Sequence, residues 1–167
     1  MTTQSHLKRV RGVTGKNTRV ALAVSRFNAR ITARMLQGAR RCLREHGVLP
    51  RNTGVVHCPG AFELPQAAAL LAQSGEWDGI VCLGAVIRGE TPHFEYVSLG
   101  CTWGIQHVAV QYGVPVAFGV LTTENVEQAM ERAGGKHGNK GRDAAQAALE
   151  MIQLRRNIRA PRARGRR

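Results

Sequence analysis

The chain has 167 residues, 43% apolar and only 5% aromatic, and a formal net charge of +13. That length and balance describe one globular α/β domain with an Ala/Val/Leu-packed core and exclude a disordered chain. No apolar run is long enough to span a bilayer, and the polar, basic N-terminus lacks the apolar segment of a secretory signal, so a cytoplasmic protein is expected.

In chain order the sequence alternates strands and helices. Residues 19–25 (RVALAVS) read as a buried strand; a helix over 31–46 follows, with Ile31, Met35, Ala39, Cys42 and Leu43 on one face and Gly47 as its stop. Residues 53–58 form a second strand, and LPQAAALLAQSG from Leu64 supplies a helix ending at Gly75. Residues 80–87 are a third, nearly all-apolar strand, followed by a long helix over 93–112 whose Gly100 and Gly104 permit close packing. A fourth strand over 114–121, a short helix near 125–133 and a last helix over 142–156 complete the series. Strands without polar alternation, each followed by a helix, imply a parallel sheet covered on both faces. The first eighteen residues fit no element well, although 10–13 read as an added edge strand. Cys42, Cys58, Cys82 and Cys101 form no C-x-x-C pair and lie in apolar segments, which predicts buried free thiols.

The charge is unevenly placed. Seven arginines follow Leu154, and +13 less those seven leaves +6; the first acidic residue is Glu45. No aromatics interleave the basic runs and no DNA or RNA module is visible, so the tail reads as solvated and disordered, touching nucleic acid only adventitiously.

In an open parallel sheet, ligands bind outside the carboxyl ends of the strands. Here those ends carry SRFN, PGAFE, GAVIRGETPH and GVLTTE, loops that would converge on one crevice. Phe27 can stack on a planar heterocycle, with Phe62 and Glu63 flanking it. In the segment 84–97, Thr91 is expected as N-cap with Pro92 at the first helical position, which puts His93 in the first turn. That is a titratable imidazole where backbone N–H groups and the helix dipole attract an anion. The connector RAGGKHGNKG (132–141) adds Arg132, Lys136 and Lys140, cations that can grip phosphate, but it is no P-loop, and no dinucleotide fingerprint follows the first strand.

Taken in order, SRFN, PGAFELP, GAVIRGETPHFEYV, GVLTTENVEQAMERAG and GNKG followed two residues later by AA closely resemble the 6,7-dimethyl-8-ribityllumazine synthase family, over residues 19–155. The resemblance implies a flavodoxin-like three-layer α/β/α sandwich with a four-stranded parallel sheet. It further implies a cofactor-independent condensation of 5-amino-6-(D-ribitylamino)uracil with 3,4-dihydroxy-2-butanone 4-phosphate, the penultimate step of riboflavin biosynthesis. Subunits would form homopentamers with each site shared between neighbours, and a connector without insertion favours a sixty-subunit icosahedral shell, with riboflavin synthase as an expected partner.

By the same resemblance His93 is the acid/base group and Phe27 stacks on the pyrimidine. Ala61, Phe62, Glu63, Ala85, Val86 and Ile87 line its pocket, and Phe118 closes it. Glu90 and Thr91 hold the butanone phosphate through backbone N–H groups, and Arg132, from the adjoining subunit, binds the phosphate itself, with Lys140 a weaker candidate nearby. Residues 1–18 and the basic stretch 156–167 lie outside the match. Two rival readings stand beside it: a non-catalytic flavin- or lumazine-binding protein built on the same fold, which would keep Phe27 and Phe62 but have no need of His93 and Arg132, and a shell or nucleic-acid-associated role led by the basic tail.

Overall fold

A computed structural model describes residues 13–159. Its four-stranded sheet is parallel throughout: β1 (Val20–Ser25), β2 (Thr53–Cys58), β3 (Gly79–Ile87) and β4 (Val116–Thr123), in the order β2-β1-β3-β4. Among the described residues five α-helices accompany the sheet: α1 (Ala29–Glu45), α2 (Leu64–Gln73), α3 (His93–Tyr112), α4 (Val126–Arg132) and α5 (Lys140–Arg159). Of the expected edge strand over 10–13, residues 10–12 lie outside the described residues, and Val13 is not in a strand.

The period-two geometry of the strands divides the core into two layers. Val20, Leu22 and Val24 of β1 and Val81 and Leu83 of β3 point to one face, where they meet Met35 and Leu43 of α1 and Leu149 and Ile152 of α5. Ala21, Ala23, Ile80 and Cys82 point to the other, packing with Leu64 and Ala68 of α2 and Cys101, Ile105 and Val108 of α3. Both faces are covered, which is why β1 and β3 carry no polar alternation. Every apolar residue expected on the buried face of α1 is buried.

Several boundaries differ from the sequence reading. Pro115 has no N–H for the ladder; its carbonyl accepts from Ile80 N at 2.8 Å, and β4 starts at the next residue. At its far end β4 runs to Thr123, paired with Ile87. Helix α5 begins at Lys140, where the Asn139 side chain accepts from Arg142 N at 3.1 Å, and it continues through 156–159, read above as the start of the tail. The connector before it contains a two-stranded antiparallel hairpin, β5 (Ala133–Gly135) and β6 (Gly138–Asn139). Gly134 and Gly138 take φ of +111° and +75° there, a region that glycine enters without strain.

All four cysteines are free and buried. Desolvation pushes the Cys101 thiol up from 9.0 to about 12 and the fully buried Cys82 thiol higher still. The folded state therefore retains these protons at a pH where the unfolded chain releases them, so the unfolding free energy is expected to fall as pH rises above 9. Urea unfolding across that range checks this; a Cys82→Ala/Cys101→Ala double variant with the same slope would assign the loss to other groups.

Candidate functional site

The carboxyl ends of β1, β2 and β3 open onto a cavity of about 620 Å³. The loop after β1 is tied to the loop after β2, Arg26 N donating to the Cys58 carbonyl at 2.9 Å and Phe27 N to that of Pro59 at 3.0 Å. Asn28 sits at φ +57° ahead of α1, and its side-chain amide donates to the Ala85 carbonyl of β3 at 2.8 Å, which holds this left-handed residue in place. These bonds fix Phe27 on the cavity wall with 70% of its surface exposed. So large an exposed ring beside a preformed cavity offers a stacking face.

On the second wall a short 3-10 turn, Ala61–Glu63, presents Ala61, Phe62 and Glu63. The Phe62 ring lies over Gly100 of α3, where an added Cβ would stand 2.7 Å from its Cε2. Gly100 thus admits the ring. Ala85, Val86 and Ile87 at the end of β3 form the floor, and Thr91 and His93 complete the rim.

The start of α3 departs from expectation. Pro92, not Thr91, occupies the cap position, and no side chain caps the helix. Thr91 makes no side-chain hydrogen bond to the helix start, and the first turn is closed instead by the Pro92 carbonyl, which accepts from Glu95 N at 3.0 Å. His93 is then the first residue of the helix, exposed at the cavity.

Arg88, which the sequence reading passed over, anchors this loop. Its Nε donates to Glu124 after β4 at 2.7 Å, its Nη1 donates to Glu95 in the first turn of α3, and its guanidinium lies 4.3 Å from the Phe94 ring centroid. The bond from Arg88 holds the Glu95 carboxyl below its ordinary range. Phe94 itself lines the cavity, as do Gly60, Gly89, Tyr96 and Val97. Of these, Phe94 and Val97 had a sequence signal, lying one residue and one helical turn from His93.

Nine of the predicted site residues are thus brought together: Phe27, Ala61, Phe62, Glu63, Ala85, Val86, Ile87, Thr91 and His93. Three are not. Glu90 is exposed in the same loop, between two residues that line the cavity, without lining it itself. Phe118 and Arg132 lie with Lys140 on a separate concavity of about 460 Å³ along β4 and α5, which shares no lining residue with the first. There Arg132 Nη1 donates to the Gln128 carbonyl at 3.0 Å and Lys140 pairs with Asp143 at 2.8 Å. Lys136 lines neither concavity. Among the described residues, no group of three His, Cys, Asp or Glu side chains is placed to hold a metal ion, and no helix is long and apolar enough to cross a membrane.

A parallel sheet wound on both faces, with an aromatic-lined cavity at the carboxyl ends of its strands and an imidazole on the rim, is the layout of an α/β enzyme acting on a small molecule. Residues 17–156 match the family model described as 6,7-dimethyl-8-ribityllumazine synthase, and the chain belongs to that family. Curated relatives carry the same description. The protein of Chlorobium luteolum is 50% identical over 91% of this chain and 99% of its own length; that of Chlorobium phaeovibrioides is 52% identical over 86% and 92%. A third, from Chloroherpeton thalassium, is 47% identical over 89% and 97%.

Proposed function

We propose that the protein condenses 5-amino-6-(D-ribitylamino)uracil with 3,4-dihydroxy-2-butanone 4-phosphate to give 6,7-dimethyl-8-ribityllumazine, phosphate and water, in the penultimate step of riboflavin biosynthesis. The observation that carries this reading is the convergence of Phe27, Phe62, Glu63, Thr91 and His93 on one cavity, in a chain of this family. The pyrimidine stacks on Phe27, with Glu63 and the backbone of β3 satisfying its polar edge. The amine adds to the ketone and water leaves to form an imine; phosphate is eliminated to give an enol; the enol tautomerises to a ketone, which the second nitrogen attacks, closing the ring with loss of a second water. His93 moves protons through these steps. Holding the two reactants together supplies most of the acceleration, since effective molarity alone can offset several kcal/mol of barrier. Mixing the purified protein with both substrates and recording lumazine fluorescence tests the proposal; no fluorescence from folded protein refutes it.

His93→Ala is expected to lower turnover on the order of a hundredfold without abolishing it, because proximity survives and water can carry protons in part. Steady-state kinetics at saturating substrate check this. An unchanged rate would remove the acid/base role.

The same reading makes the assembly a homopentamer with a shared site. What supports it is the separation, within one chain, of the Phe118–Arg132 concavity from the Phe27–His93 cavity: a neighbour can bring the first against the second. The short β5–β6 connector favours the icosahedral shell of twelve pentamers, with riboflavin synthase as its partner, and light scattering that finds only pentamer-sized particles at every salt concentration would sink the shell. A cytoplasmic location belongs to this reading, and four free thiols suit a reducing compartment.

A further inference from the structure

At the amino ends of the strands, four arginines gather around a concavity of about 560 Å³. Arg19 immediately precedes β1, Glu76 and Asp78 precede β3, and Arg155, Arg156 and Arg159 come from the last turns of α5. The nine residues of β3, at about 3.3 Å each, put this place roughly 30 Å from the cavity at the other end of the sheet.

Two of the four cations are neutralised within the chain. Arg19 pairs with Glu76 at 3.3 Å and lies 5.0 Å from the Trp77 ring centroid. Arg156 pairs with Asp78 at 3.3 Å and donates to Thr18 Oγ1 and the Asn17 carbonyl. The other two are differently placed. Arg155 donates from Nη1 to the Asp78 carbonyl at a long 3.5 Å, while its Nε is buried without an acceptor. Arg159, four residues on, has no carboxylate within 4.0 Å among the described residues. Burial, and the Arg159 charge beside it, push the Arg155 guanidinium below its ordinary value, and the nearby Asp78 carboxylate offsets only part of this. Residues four apart on a helix stand side by side, so both guanidinium forks face one space.

We propose that this concavity is a binding site for a phosphoryl anion, gripped by Arg155 and Arg159, with Arg19 and Trp77 at its wall. Phosphoryl oxygens match the planar guanidinium fork, and a dianion can balance both cations, neither of which has a carboxylate in ion-pair contact among the described residues, where a single carboxylate balances one. The two carboxylates in the concavity, Glu76 and Asp78, are each occupied by a partner arginine and so do not repel the anion at full strength. The anion's source is either a free phosphate compound or the backbone of a nucleic acid, since the sequence continues past Arg159 with Arg162, Arg164, Arg166 and Arg167.

The experiment uses the full-length chain carrying Trp103→Phe, which leaves Trp77 as the sole tryptophan of the two in the sequence. Inorganic phosphate is titrated at constant ionic strength against Trp77 emission, and a uridine oligonucleotide is titrated separately. The expected result is a saturable change with phosphate, weakened about tenfold or more by Arg155→Gln and by Arg159→Gln, yet unmoved by Arg40→Gln, which removes the same charge from α1. Arg159 is exposed, so its variant keeps the test valid should Arg155→Gln fail to fold. An oligonucleotide that competes with phosphate supports the site with a backbone as its source; one that does not compete, while phosphate binds, supports it with a free phosphate. Equal weakening by Arg40→Gln, no saturable change with phosphate, or oligonucleotide binding alone that vanishes on deleting residues 160–167 each overturns the proposal.

Discussion

Replacing Arg132 with alanine is expected to lower kcat/KM for the butanone phosphate by about a hundredfold, a loss near 3 kcal/mol for a charge-assisted contact. Arg132 is half-buried at the end of α4 and donates one hydrogen bond, from Nη1 to the Gln128 carbonyl, which fixes the side chain while most of its five N–H donors remain free. Under the proposed reaction those donors grip the phosphate of the second substrate. KM for the butanone phosphate should rise and turnover fall, because binding and orientation depend on the same fork. Binding of the ribityl-aminouracil should scarcely change. Arg132→Lys should restore only part, since a point charge does not reproduce the planar geometry. Separate KM measurements for the two substrates check the assignment; a variant with normal kinetics for the butanone phosphate and weakened pyrimidine binding would reverse the placement of the substrates.

Gly141→Ala is expected to cost roughly 3 kcal/mol or more of stability, and Gly141→Val to prevent accumulation of folded protein. Gly141 lies in the first turn of α5 where that helix crosses α1, and a Cβ there would fall 2.6 Å from the Met35 carbonyl carbon and 2.9 Å from its Cα. These are backbone atoms of a helix whose Met35 side chain is itself fully buried, so nothing short of separating α1 from α5 relieves the overlap. Gly100 makes a useful contrast, since a Cβ there meets the ring of Phe62, an exposed side chain that can turn aside. Urea midpoints of the Gly141→Ala and Gly100→Ala variants should separate by several times the measurement error; equal midpoints would show that the helix crossing can relax.

The fold was legible because its signals are local. Strands buried on both faces announce themselves as unbroken apolar runs, and the buried stripe of α1 repeats with the helical period. The nine residues that do converge were legible because each lies at the carboxyl end of a strand or in the loop that follows it, and strand ends of a parallel sheet share one side. What escaped depends on partners distant in sequence or on single dihedral choices. Arg88 joins Glu95, Glu124 and Phe94 only after β3, β4 and α3 have been assembled. The β5–β6 hairpin rests on positive φ at two glycines within a run rich in them, and the composition does not say which will turn. Thr91 reads as a cap because threonine favours that position, but its hydroxyl bonds none of the first N–H groups, and the Pro92 carbonyl closes the first turn instead.

The position of β1 has a consequence for biosynthesis. Among the described residues it is the first strand made, it lies in the interior of the sheet between β2 and β3, and all six of its residues are buried. Its ladder on one side must wait for Cys58 and on the other for Leu83 to be synthesised. Until then VALAVS emerges from the ribosome as an uncharged, β-favouring segment with two open edges, flanked by Arg19 and Arg26. Those two arginines act as gatekeepers, their charge keeping nascent chains from pairing through this strand until the rest of the sheet arrives to enclose it.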